Sequence, residues 1–320
     1  MTHIYDPISN VLLDLGFIQW YKYSFMIMLG IVIAIILGLR EGKRLGISSD
    51  DILDGVLIIV PLSILGTRLW YVIFEWERYA WDIIAILRIT DGGLAIHGGF
   101  FTAFISAYVY TKHKGINILS AFDIMVPGFL IAQASGRWGN FFNQEAHGGI
   151  IGGTEGGQPA LSLDEQRAFL KETLRLPDFI TNNMLIEAET GDPGHVGSLI
   201  EGAQNYELYN YYHPTFLYES LWNILGFILV IIIRRTKWLR RGELLAFYLI
   251  WYSTGRYFIE AMRTDSLYIG NTNIRTAQVI SILMILGGIG YLFYSRLVLK
   301  PKYYMDVVKQ NTEQKDIKAL

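Results

Sequence analysis

Residues 136–149 read GRWGNFFNQEAHGG and follow directly on FDIMVPGFLIAQAS, a stretch apolar enough to lie in lipid. Arg137, Asn140, Asn143, Gln144 and Glu145 are costly to withdraw from water unless each finds a partner, and an ionised group costs most. A second polar set stands in YSTGRYFIEAMRTDS, where Tyr252, Arg256, Glu260 and Arg263 are spaced i, i+4, i+8 and i+11. At about 100° per residue these four fall within an arc of roughly 80°, one stripe that must face protein or water. An Arg256–Glu260–Arg263 ladder could neutralise itself through i,i+4 and i,i+3 pairs. Against that, Arg68 in GTRLWYV, Arg137, Arg256 and Arg263 outnumber the evident carboxylates Glu145 and Glu260, and a surplus of buried guanidinium implies an anionic guest. Arginine's planar fork suits a phosphate, which in a bilayer belongs first to lipid headgroups.

The remaining candidates surround these two sets. If the helix continues past Arg137, then Asn140 and Gln144 share its face, while Gly136 and Gly139 permit close approach of another backbone or a break. Asn140 and Asn143 can donate and accept, which suits a substrate's hydroxyls or ester carbonyls, and Gly148 closes the string. His97, in DGGLAIHGGF, carries an imidazole, the natural proton acceptor at neutral pH, and Gly98 and Gly99 are expected to leave room for a substrate to reach the ring; the alternative is a hydrogen-bonded cap. His213, opening HPTFLYES, faces the same choice between cap and catalyst. Tyr21, in IQWYKYSF, is an interfacial belt residue or a hydrogen-bond donor to the site.

These residues need a scaffold of membrane helices. Of the 320 residues, 52% are hydrophobic and 18% charged, and mean hydropathy is +0.31, more apolar than a soluble domain of this length requires. The expected fold is an all-α membrane protein, a single polytopic domain over 1–320. A formal net charge of −2 gives no sign of a nucleic-acid partner. The absence of cysteine excludes disulfides, thiolate metal sites and a cysteine nucleophile. No lysine or arginine precedes Lys22, so the first apolar run lacks a signal-peptide n-region and is expected to be retained.

A hydrocarbon core of about 30 Å needs roughly 20 apolar residues per helix. Seven segments meet that measure, near 20–39, 52–75, 97–112, 119–137, 214–233, 243–262 and 276–298. Arg40, Lys43 and Arg44 follow the first, Lys112 and Lys114 the third, and Arg234, Arg235, Lys237, Arg240 and Arg241 the fifth, so these ends are expected in the cytoplasm. Lys300, Lys302, Lys309, Lys315 and Lys318 place the tail, 300–320, on the same side and the N-terminus outside. The connection 146–212 then falls outside as a long insertion, with an amphipathic stretch around Leu161 to Leu174, and a solvated decoration is the alternative to a functional role. No histidine pair has zincin spacing and no Walker-type loop occurs.

The strings GRWGNFFNQEAHG, DGGLAIHGGF, HPTFLYES and GRYFIEAMRTDS, in this order, resemble the phosphatidylglycerol:prolipoprotein diacylglyceryl transferase family over nearly all of residues 17–299. The resemblance implies transfer of a diacylglyceryl group from phosphatidylglycerol to the lipobox cysteine thiol of a signal-peptide-bearing prolipoprotein, with glycerol phosphate leaving. It implies no cofactor, a multi-pass enzyme of the bacterial cell membrane, and a monomer. By it, Arg137 is the phosphatidylglycerol-binding arginine and Arg256 a second essential one. Asn140, Glu145, Tyr21 and Glu260 match activity-determining positions, and His97 matches the proposed base. Arg68, Gly98, Gly99, Asn143, Gly148, His213, Tyr252 and Arg263 complete the expected substrate contacts. Gln19 departs from the histidine found in some members, and the insertion after Gly148 is longer than in several. A transporter that binds a lipid or small anion through buried arginines is the rival reading; no internal repeat of the kind such folds use is visible.

Overall fold

A computed structural model of the chain describes residues 8–79, 85–86, 88, 92–153, 161–187, 198–199, 208–270 and 272–319. Its main helices are α1 (Lys22–Arg44), α2 (Ser49–Phe74), α3 (Ile96–His113), α4 (Ile118–Asn143), α5 (Thr215–Ile233), α6 (Glu243–Met262), α7 (Thr276–Tyr294) and α8 (Tyr304–Ala319). Among the described residues five helices are long and apolar enough to cross a membrane: α1, α2, α4, α5, and α7 with its extension to Leu299. The sequence reading expects seven. The difference lies in α3, diluted by His97, the glycine pair and its Lys112–His113 end, and in α6, diluted by Tyr252, Arg256 and Glu260. Strands β1 (Val11–Asp14) and β2 (Gln19–Tyr21) form an antiparallel hairpin, and β3 (Leu185–Glu187), β4 (Ser198–Leu199) and β5 (Leu208–Tyr211) a small sheet in the order β3-β5-β4.

The chain divides into two compact units. The first comprises residues up to Ile35, Val126–Arg235 and Glu243–Lys300. Within it, α4 meets α1 along a seam of small residues. A Cβ on Gly30 would come 2.9 Å from the Ala132 backbone, one on Gly128 2.8 Å from Ala34, and one on Gly139 2.6 Å from the Tyr23 ring. Ser135 Oγ donates across the seam to Met26 O at 2.6 Å. With lipid on the outside there is no hydrophobic gain from pairing two apolar helices, so close backbone approach and interhelical hydrogen bonds must supply the attraction.

Helices α5 and α6 are joined differently. Trp222 Nε1 donates to Trp251 O at 2.9 Å and Trp251 Nε1 returns the bond to Trp222 O at 3.0 Å, with the indoles stacked at 4.3 Å. Each indole occupies a notch left by a glycine on the partner helix: a Cβ on Gly226 would lie 2.4 Å from Trp251, and one on Gly255 2.3 Å from Trp222.

The described part of the 146–212 segment is folded. Ser162 and Glu165 form a reciprocal N-terminal cap on Leu163–Ala168, which runs on into a wider turn over Phe169–Thr173. Leu163, Leu170, Ile180, Met184, Leu185, Tyr209 and Tyr211 bury one core with Phe141 and Phe216. Buried Gln166 holds it, donating to Leu161 O and Asn210 Oδ1 and accepting from the Tyr211 amide at 2.7 Å. Residues 161–187 and 208–212 thus share a core with α4 and α5; residues 154–160, 188–197 and 200–207 of the segment lie outside the described residues.

The second unit comprises Ile36–Met125, Thr236–Gly242 and Pro301 onward. Here α2 and α3 pack at glycine contact, Gly66 against Thr102 and Gly98, and Gly98 against Trp70. Lys114 pairs with Asp51 at 2.9 Å at the far end of α3, a bond that raises the pKa of Lys114 and lowers that of Asp51. The tail helix is tied in by buried Tyr304, whose hydroxyl donates to Glu41 Oε1 at 2.7 Å and whose amide donates to Leu239 O.

Gly255 immediately precedes Arg256, so the indole notch also sets the height of that guanidinium. Gly255→Ala is expected to push Trp222 out of its seat and cost about 1–3 kcal/mol, as overpacking does. A lower thermal midpoint in detergent checks this, with Gly136→Ala as the control, since no atom lies within 4 Å of a Cβ built there.

Candidate active site

Three helix ends are laced together by the string that follows Arg137. Helix α4 stops at Asn143 because Gln144 and Ala146 take positive φ values of 52° and 56°. The chain then makes isolated bridges to the other two helix ends: Gly148 N donates to His213 O, Gly149 N to Met262 O and His213 N to Gly149 O, at 2.9, 2.9 and 3.0 Å. Thr215 Oγ1, at the start of α5, donates to Ala146 O at 2.8 Å. Gly148 is required by contact, since its Cβ would fall 2.8 Å from that of His213 and 2.9 Å from Thr215 Cγ2. This lacing fixes the outer ends of α4, α5 and α6 in register.

One turn or so inside the lacing lies the charged centre. Glu219 of α5, 2% exposed, pairs with Arg137 of α4 at 2.7 Å through Oε1 and with Arg256 of α6 at 3.4 Å through Oε2. Arg256 also pairs with buried Glu260 at 2.5 Å. Arg137 Nη1 donates to Asn140 Oδ1 at 3.2 Å, Asn140 Nδ2 to Glu145 Oε1 at 2.8 Å, and Asn143 Nδ2 to the same oxygen at 3.5 Å. The chain Glu260–Arg256–Glu219–Arg137–Asn140–Glu145 is therefore continuous across three helices. The carboxylates of Glu219 and Glu260 are sealed, while the Arg137 and Arg256 side chains keep 20% and 18% of their surface exposed. Buried acids thus hold two guanidinium groups on side chains that are not fully buried.

Several expectations are corrected. The guanidinium surplus disappears once Glu219 and Asp265 are counted. Arg263 leaves the expected ladder and takes Asp265 through two bonds of 2.8 and 2.5 Å, while Arg275 donates to the Glu260 carbonyl. Burial favours a neutral Asp265, but the bonds and charge of Arg263 prevail and hold its pKa low. Arg68 is expected as a substrate contact, but its guanidinium donates to the carbonyls of Ala85, Ile86, Gly92 and Gly93 at 2.6–3.0 Å and lies against the Tyr79 ring, so its donors are engaged by backbone. Gly98 and Gly99 do not open space for a substrate; they are buried seats for Trp70 and Thr67. Gln144 does not share the Arg137 face, because the helix has ended, and its amide donates to Asn183 O and Leu185 O.

The other candidates fall as follows. His97 is exposed in the first turn of α3, and its ring has no hydrogen bond among the described residues, so it is not a side-chain cap. His213 is packed against Phe169 and Tyr218, and burial pushes its pKa down. Tyr252 lies one turn below Arg256, stacked on Tyr248, whose hydroxyl accepts from Gln133 at 2.8 Å. Tyr21 ends β2, exposed, its hydroxyl donating to Gln19 Oε1 at 3.3 Å. The structure therefore joins Arg137, Asn140, Asn143, Glu145, Arg256 and Glu260 in one network and leaves Tyr21 outside it.

The sequence model of the prolipoprotein diacylglyceryl transferase family matches residues 10–294. The chain belongs to that family. Three phosphatidylglycerol–prolipoprotein diacylglyceryl transferases illustrate the likeness. The protein of Listeria monocytogenes serotype 4a is 43% identical over 94% of this chain and 95% of its own length. That of Halalkalibacterium halodurans is 41% identical over 96% and 93%, and that of Bacillus cereus strain G9842 is 44% identical over 90% and 93%. In this member of the prolipoprotein diacylglyceryl transferase family the residue that sequence reasoning passed over is Glu219. Its signal was present, a lone acid four residues into an apolar helix within HPTFLYES, but nothing in a linear string tells which arginine an acid will meet.

Glu219→Gln keeps the shape and removes the charge that Arg137 and Arg256 share. Breaking a buried pair of this kind costs about 3–5 kcal/mol, because a guanidinium is left uncompensated. Arg256 keeps Glu260, so the uncompensated cation is Arg137; the expected loss of stability should be smaller when Arg137→Gln is added, and a double-mutant cycle on thermal unfolding measures that coupling.

Proposed function

We propose that the chain transfers the diacylglyceryl group of phosphatidylglycerol to the thiol of a prolipoprotein lipobox cysteine, making a thioether and releasing glycerol phosphate. The observation that carries the reading is the Glu219 bridge, which orients the forks of Arg137 and Arg256 from two helices whose arginine side chains both stay partly exposed. In the reaction the thiolate sulfur bonds to the terminal carbon of the diacylglycerol backbone, and the carbon–oxygen bond to phosphate breaks with its electron pair on oxygen. Negative charge grows on a phosphate monoester, and fixed cations in a water-poor site stabilise it more than bulk water does. Arg137 and Arg256 fill that role. Asn140, oriented between Arg137 and Glu145, offers polar contacts to the lipid's ester or hydroxyl oxygens.

The attacking thiol has a free pKa of about 8.5 and reacts as thiolate, so it needs either a base or a strong positive potential. His97, exposed and unengaged, is the base in this proposal. The lipid arrives laterally and the precursor by its signal helix. In this arrangement α3 and α6 join the five apolar helices as spans, giving seven, with the N-terminus outside, the basic tail in the cytoplasm and the chain acting as a monomer.

Purified protein incubated with labelled phosphatidylglycerol and a lipobox peptide should yield thioether product and free glycerol phosphate. Arg137→Ala should lower the rate by about 10²–10³, the usual cost of removing one oriented charge-stabilising donor. Movement of intact lipid without product would instead favour the anion-transport reading. His97→Gln should lower the rate and change the pH–rate profile; an unchanged rate and profile would leave the arginine potential as the activator of the thiol.

A further inference from the structure

The hairpin β1–β2 takes no part in the charged network, yet its construction is specific. Its loop closes with Leu15 N donating to Ile18 O at 3.0 Å, and Gly16, at φ +79°, donates its amide to Asp14 Oδ1 at 2.8 Å. This turn presents Leu15, Phe17 and Ile18 at the tip, with Phe17 81% exposed, and Leu12, Leu13 and Trp20 are exposed along the strands. So many exposed large apolar side chains on one short hairpin mark a site of contact with a partner or a membrane.

Three observations choose the membrane. The hairpin's polar side chains satisfy one another, Gln19 Nε2 donating to Asp14 Oδ2 at 2.9 Å and the Tyr21 hydroxyl to Gln19 Oε1. Strand β2 passes without a break into α1, one of the five helices fit to cross a bilayer. The base is clamped to the first turn of that helix, because the Lys22 amide donates to Asn10 O at 2.8 Å and Lys22 Nζ to Ser9 O at 2.6 Å. A ribbon so fixed to the head of a spanning helix sits at the lipid boundary.

We propose that the hairpin is an interfacial anchor, with Leu15, Phe17 and Ile18 entering the headgroup–acyl boundary of the leaflet in which α1 begins and Trp20 and Tyr21 lying at headgroup level. The Asp14 charge, favoured by the Gly16 amide and then by Gln19, limits the depth to that boundary. The anchor thereby holds Tyr21 at the leaflet surface. It does not depend on the transfer chemistry proposed above.

Because the chain has no cysteine, Phe17→Cys places a single label in the full-length protein. With a nitroxide there and the protein in phosphatidylglycerol-containing nanodiscs, power saturation should show a severalfold higher ratio of oxygen to nickel-chelate collisions than at Glu172→Cys, an exposed site in the outer segment. A nitroxide is itself apolar, so the unlabelled thiols supply the second measurement. Phe17→Cys should react with a charged, membrane-impermeant maleimide more slowly than Glu172→Cys. Equal collision ratios, or equal reaction rates, would overturn the anchor.

Discussion

Everything in the first unit is organised around one electrostatic constraint, the sharing of the Glu219 carboxylate by Arg137 and Arg256. An ion pair withdrawn from water repays its desolvation only when the geometry is close and the remaining donors are used. Here the three charges come from three helices. An error in the height or rotation of any one helix would leave a guanidinium or a carboxylate alone at low dielectric. The constraint therefore propagates outward, and the helix contacts are those that fix position most tightly: the glycine–alanine seam of α1 with α4, and the paired indoles of α5 with α6. The backbone bonds around Gly148 then tie the three ends together and fix their register.

The same arrangement explains why buried acids accompany cations in a site read as binding an anion. Arginines without counter-charges would be costly in the absence of ligand and free to turn to any oxygen in reach. With Glu219 and Glu260 behind them, Arg137 and Arg256 are held before the ligand arrives, and the oriented dipoles of Asn140 and Asn143 extend the network to Glu145. Preorganised charge of this kind stabilises a developing oxyanion without reorganisation at the moment of reaction. The second unit applies the same rule to architecture: the Arg68 cation is spent on four backbone carbonyls, and so builds the loop ahead of His97 rather than binding a guest.

The sequence by itself determined the class of protein, the apolar helical segments and most members of the charged network. Apolar run length and the polar residues interrupting it are local properties, so α1, α2, α4, α5 and α7 are legible, as are Arg137, Asn140, Glu145, Arg256 and Glu260, each conspicuous against an apolar background. The i,i+4 pairing of Arg256 with Glu260 is also a local matter of helix geometry. What only the tertiary structure decided is partnership between distant segments. Glu219 lies 82 residues from Arg137 and 37 from Arg256 in the sequence, and pairing at that separation follows from helix rotation and height, which no local spacing encodes. Likewise Arg68 and the Gly98–Gly99 pair have the residue types of a binding site, and only the packing of α2 on α3 spends them on backbone carbonyls and close contact. Chemistry is written in residue type, but whether a charge meets a ligand or a carbonyl depends on which surfaces pack together.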